Sequence, residues 1–64
     1  MDEMVVISIV RQPDRVLLYG DDEGYRVIAK LSDDVRVGDT VECESYGFNF
    51  GWFKQVITRP QAVL

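Results

Sequence analysis

The sequence predicts an all-β domain, a small barrel of five strands, and three observations carry that prediction. Valine, isoleucine, tyrosine and phenylalanine recur in short runs separated by turn residues. Residues 25–31 and 40–46 alternate between apolar and polar with the period of a half-buried strand. No stretch sustains a helical period; Ser32-Asp33-Asp34 offers at most one helical turn.

Taken in order, residues 4–11 (MVVISIVR) are nearly continuously apolar and predict a central, mostly covered strand. Gln12-Pro13-Asp14 ends it, because proline cannot donate to a ladder and Pro-Asp is good turn chemistry. The second strand spans residues 15–19 (RVLLY). Arg15, Leu17 and Tyr19 share a parity there, which leaves the strand unoriented. Residues 20–24 (GDDEG) make a tight polar connection. In residues 25–31, Tyr25, Val27, Ala29 and Leu31 are assigned to the core and Arg26, Ile28 and Lys30 to the outer face. A connector follows over residues 32–39. The fourth strand, residues 40–46, turns Val41 and Cys43 inward and Glu42 and Glu44 outward. The fifth runs from about Trp52 to Arg59 and stops at Pro60, with residues 60–64 expected to be a frayed tail. Among the aromatic residues, Tyr25, Phe53 and one of Phe48 or Phe50 are expected in the core, while parity sets Trp52 and Lys54 opposite Phe53 and Ile57.

A three-stranded meander, a connector and a closing hairpin is the order of the OB-fold, a five-stranded Greek-key barrel. An SH3-like barrel is the alternative. Its first two strands are usually joined by a long loop, whereas here only residues 12–14 intervene.

Residues 4–31, with the Pro13-Asp14 turn, Gly24 and Val27-Ile28-Ala29, resemble the OB-fold RNA-binding domain of bacterial translation initiation factor one and related small barrels. Gly38-Asp39-x-Val41 resembles that family's entry to the fourth strand, and Tyr46 and Gly51 match the ends of its next loop. The resemblance implies an RNA-binding surface. The chain departs from the family in its acidic, shortened connector and in Ser45, which replaces a proline. Phe50 and Trp52 also flank Gly51 where the family usually carries basic residues.

Sixty-four residues make one domain, residues 1–64, whose core supplies only a few kcal/mol of net stability. Cys43 is the only cysteine and there is no histidine, so an internal disulfide and a Cys/His zinc site are excluded. A lone thiol predicts a reducing compartment, the cytoplasm. Asp2 and Glu3 precede a short apolar run, which fits neither a signal peptide nor a membrane span. Without histidine or a partnered serine, no catalytic site, metal or cofactor is expected. Glu42/Glu44 and residues 21–23 read as solvated carboxylates, and Cys43 as core filling.

Net charge is −4, with eleven acids against seven bases, yet the proposed strands segregate the charges. Arg11, Arg15, Arg26, Lys30 and Lys54 are expected on one face together with rings from Phe48, Phe50 and Trp52. Cations that track a backbone beside rings that stack bases are what single-stranded nucleic acid requires. The expected function is therefore a non-enzymatic module binding single-stranded RNA, ahead of DNA. The alternative is an acidic protein-interaction module that docks a protein partner through the Phe48–Trp52 loop. Neither reading involves a membrane, and the sequence leaves the oligomeric state open.

Overall fold

β-Branched and aromatic residues at alternate positions set the strands, and turn residues end them. A computed structural model describes residues 2–60. These form β1 (Asp2–Val5), β2 (Ser8–Arg11), β3 (Val16–Tyr19), β4 (Arg26–Ala29), β5 (Thr40–Tyr46) and β6 (Phe50–Thr58). The six make one mixed sheet in the order β1-β5-β6-β4-β3-β2, curled into a half-barrel, with no helix among the described residues. All neighbours are antiparallel except β4 and β6, which run parallel. The tail assigned to residues 60–64 lies, beyond Pro60, outside the described residues.

The first apolar run departs most from expectation. It is divided at Val6-Ile7 into two strands, giving six rather than five, and these occupy the two edges of the sheet rather than its centre. Val6 exchanges hydrogen bonds with the connector: its N–H donates to the Asp39 carbonyl, and its own carbonyl accepts from the Gly38 N–H, each at 2.8 Å. The next N–H, that of Ile7, donates to Tyr19 at 2.7 Å on the opposite side of the curl. One chain passage therefore serves two different partners. Its inward parity switches as it does so: Met4 and Val6 pack inward before the break and Ile9 after it, leaving Val5, Ile7 and Val10 exposed. A run apolar at both parities suits a strand that changes faces, so its continuity marks a switch and not full burial.

Val6, Val16, Leu18, Val27, Ala29, Val35, Val41 and Cys43 form the core, with Met4, Ile9, Tyr25, Phe53 and Val56 packed against it. Burial pushes the Cys43 thiol's pKa up, in keeping with core filling. Leu31, expected inside, is exposed because β4 ends at Ala29 and the chain turns, Asp33 accepting the Lys30 N–H on its side chain at 2.8 Å. That turn also replaces the helical start considered at Ser32-Asp33-Asp34. On β6, Lys54 and Ile57 are bulged residues: Cys43 pairs Phe53, Glu42 pairs Gln55, Val41 pairs Val56 and Thr40 pairs Thr58. The bulges put Val56, not Ile57, in the inward row with Phe53.

Between β4 and β5 the connector is organised by Asp39, whose side chain is 0% exposed. Its carboxylate accepts the Arg36 N–H at 2.9 Å and a bidentate pair from Arg59, Nε to Oδ1 at 3.0 Å and Nη2 to Oδ2 at 2.8 Å. Arg59 Nη2 also donates to the Asp34 carbonyl at 2.9 Å. The guanidinium holds the Asp39 carboxyl below its ordinary pKa, against the opposing effect of burial, and the Arg36 N–H adds to the depression. A depressed folded-state pKa contributes stability that is complete above the unfolded carboxylate value of about 3.9 and is lost as pH falls through the folded value. Asp39→Asn should therefore cost about 2 kcal/mol at neutral pH, as expected for a charged hydrogen-bond acceptor. Urea unfolding at stepped pH should also show the difference between variant and parent shrinking below about pH 4.

Candidate functional site

Residues opposite each other in neighbouring strands point to the same side of a sheet. The registers therefore define two rows on the outer face, opposite the core. One row reads Ser8, Tyr19, Arg26, Phe50, Tyr46, and the next reads Val10, Leu17, Ile28, Trp52, Glu44. This orients β3: Leu17 and Tyr19 face outward. Leu17 is nonetheless only 7% exposed and lies outside the core cluster, so the outer face carries its own apolar floor.

Three rings stand together on the outer side of β5 and β6. Phe50 stacks against Tyr46, with centroids 6.1 Å apart and planes at 17°, and meets Trp52 edge-on at 6.0 Å and 84°. Trp52 remains 45% exposed, and Phe48, at the tip of the turn between β5 and β6, projects entirely into solvent. Neither Phe48 nor Phe50 enters the core as expected. At their level the inward position belongs to Gly51, and the space over it is taken by the Tyr25 hydroxyl. That hydroxyl bonds Ser45 Oγ at 2.9 Å, and Ser45 in turn donates to the Asp2 carboxylate. A hydroxyl-bearing ring fills the interior here and sends the phenylalanines outward. Gly47, with φ of 71°, supplies the left-handed residue of the turn.

The structure does not bring the five expected cations together as one set of unpaired charges. Arg26 and Lys30 lie on the outer side of β4 and just beyond it, as read from alternation. Arg26 carries its guanidinium carbon 6.0 Å from the Tyr19 ring centroid. Arg11, by contrast, pairs Val16 and so starts from the core side of the sheet end, apart from the aromatic rows. Arg15 is paired with Asp14 at 3.0 Å and Lys54 with Glu44 at 3.2 Å. Glu44, expected as an outward, solvated carboxylate, sits beside Trp52 at the border of this face. Among the described residues, Arg11, Arg26 and Lys30 have no acidic partner within 4.0 Å.

Two depressions meet at Ile28. One, of about 480 Å³, lies between Arg15, Lys30, Trp52 and Phe53; the other, about 160 Å³, is bounded by Arg26, Ile28, Asn49 and Phe50. Together they make a shallow trough along β4, with rings on the β6 side, Arg26 at one end, and Arg15 and Lys30 with the carboxylates of Asp14 and Asp33 at the other. Sequence reasoning missed Tyr19, Tyr46 and Asn49 as members of this surface. Tyr46 and Tyr19 become legible only from the strand registers, and Asn49 only because the Arg26 N–H donates to its carbonyl at 3.2 Å and fixes the turn beside β4.

Comparison of the chain with known protein families, with curated proteins and with solved structures finds no match in any of the three. The surface must be read from its own chemistry.

The placement of the rings depends on Gly51. A Cβ there would fall on the Tyr25 hydroxyl and 2.8 Å from the Glu44 carbonyl oxygen, whereas at Gly24 the nearest atom is 3.6 Å away. Gly51→Ala should destabilise by about 1–3 kcal/mol through overpacking. Gly24→Ala should stay within about 0.5 kcal/mol of the parent in the same urea titration.

Proposed function

We propose that this chain is an OB-type barrel without enzymatic activity whose outer face binds single-stranded nucleic acid, RNA ahead of DNA. Counting β1 and β2 as one bent strand leaves five strands, and their order fits the partly open Greek-key barrel of that fold. In such barrels oligonucleotides lie across the second and third strands between two loops. The corresponding elements here are β3, β4, residues 12–15 and residues 47–49, which border the trough. The likeness to the translation initiation factor one family supports the same location.

The observation that carries the reading is the adjacency of the Tyr46-Phe50-Trp52 cluster to Arg26 and Lys30 across the parallel β4–β6 pair. Exposed rings give successive bases stacking surfaces at roughly 1–3 kcal/mol each, and the two cations take phosphates. Phe50 and Trp52, in place of the family's basic residues, shift the balance from charge toward stacking. A chain of net charge −4 can bind a polyanion on those terms only if few phosphates need neutralising.

A protein partner is the second reading. It is favoured by the Arg15–Asp14 and Lys54–Glu44 pairs, which reduce the positive charge around the rings, and by the bare Phe48.

Titration of the labelled chain with a mixed single-stranded RNA at low salt should move the amide signals of β4 and residues 47–52. Unmoved signals there would sink the nucleic-acid reading. With Arg26 and Lys30 as the phosphate contacts, log affinity should fall against log salt with a slope of about −1.4. A slope near −3.5 would instead mean that all five basic residues engage phosphate, which requires both ion pairs to open.

A further inference from the structure

The smaller depression has the walls of a nucleobase subsite, an inference that rests on the single-strand reading above and specifies it. Its four residues come from two parallel strands and the turn between β5 and β6. Arg26 and Phe50 are register partners, so both rise from the same face on either side of the gap. Ile28 forms an apolar base, and Asn49 closes the end, held by the Arg26 N–H. Tyr46 stacks on Phe50 from the β5 side, which leaves the side of the ring toward β4 bordering the recess. Arg26 is steadied from β3 by the Tyr19 ring and has no acidic partner among the described residues.

These groups select among planar ligands. The Phe50 ring and Ile28 accept any flat heteroaromatic. A guanidinium presents donors in a rigid fork and no acceptor, so its best edge carries two neighbouring acceptors. Between the purines, guanine offers that edge through O6 and N7, while adenine alternates an acceptor with a donor, which opposes one arm of the fork. We propose that the recess bounded by Arg26, Ile28, Asn49 and Phe50 holds one purine of the bound strand and selects guanine over adenine. The Asn49 carboxamide adds a donor and an acceptor at the closed end. Neighbouring bases continue onto Trp52, where the guanidinium fork of Arg15 is already engaged by the Asp14 carboxylate.

The test compares hexauridylate with the same hexamer carrying one internal guanine, each titrated into the full chain at fixed salt. The guanine hexamer should bind at least about fivefold tighter, the low end of what a bidentate base contact discriminates. An adenine hexamer should fall below it. Arg26→Lys keeps the charge and removes the fork, so the ratio between the two hexamers should collapse toward one. A folded amide spectrum of that variant establishes that the barrel is intact. Equal affinity of the parent for both hexamers, or a ratio that survives Arg26→Lys, overturns the guanine subsite while single-strand binding stands. Absence of binding by either hexamer overturns the single-strand reading and the subsite with it.

Discussion

Everything in this half-barrel converges on one buried carboxylate. Asp39 ties three separated stretches at one point: its carbonyl takes the Val6 N–H where the first run divides, and its side chain takes Arg36 in the connector and Arg59 at the end of β6. A sheet whose two edge strands are consecutive in the chain can curl only if the passage between them is held. The bonds from Val6 to Asp39 and Gly38 on one side, and from Ile7 to Tyr19 on the other, do that holding. In a domain with a net stability of a few kcal/mol, a single ion-paired acceptor is a large share of what keeps it folded.

The curl separates two chemistries. Inside, aliphatic side chains of modest size fill the core, and at one level a tyrosine hydroxyl over Gly51 occupies the space a phenylalanine would have taken. Outside, the rings of Tyr46, Phe50 and Trp52 collect on β5 and β6, beside β4. The aromatic surface is thus a consequence of how the interior is packed. The bulge at Lys54 matters for the same reason, because it lets Trp52 face outward while Phe53 and then Val56 stay in the core.

Much of this was legible from residue order. Alternation placed Val27, Ala29, Val41 and Cys43 in the core and Arg26 outside, and Thr40–Tyr46 has the bounds it was expected to have. Three things were not legible. The run MVVISIVR looks like a buried central strand because apolar residues at both parities cannot be told from a strand that changes faces. The pairing of Arg15 with Asp14 and of Lys54 with Glu44 depends on side-chain placement, which charge counts ignore. Asp39 reads as ordinary turn chemistry after Gly38, since its partner Arg59 lies twenty residues away and at the end of a different strand. The outer face was half visible: its phenylalanines and tryptophan stand close in sequence, while Tyr19 joins only through the ladder.

On the binding mode proposed above, Trp52 and its neighbouring rings serve as a platform for unpaired bases. Trp52 is the only tryptophan in the chain, so its fluorescence reports on that platform alone. A single-stranded RNA should quench it in a saturable titration, and the same RNA annealed to its complement should not, because paired bases cannot lie on the ring. Equal quenching by strand and duplex, or none by either, would contradict the claim.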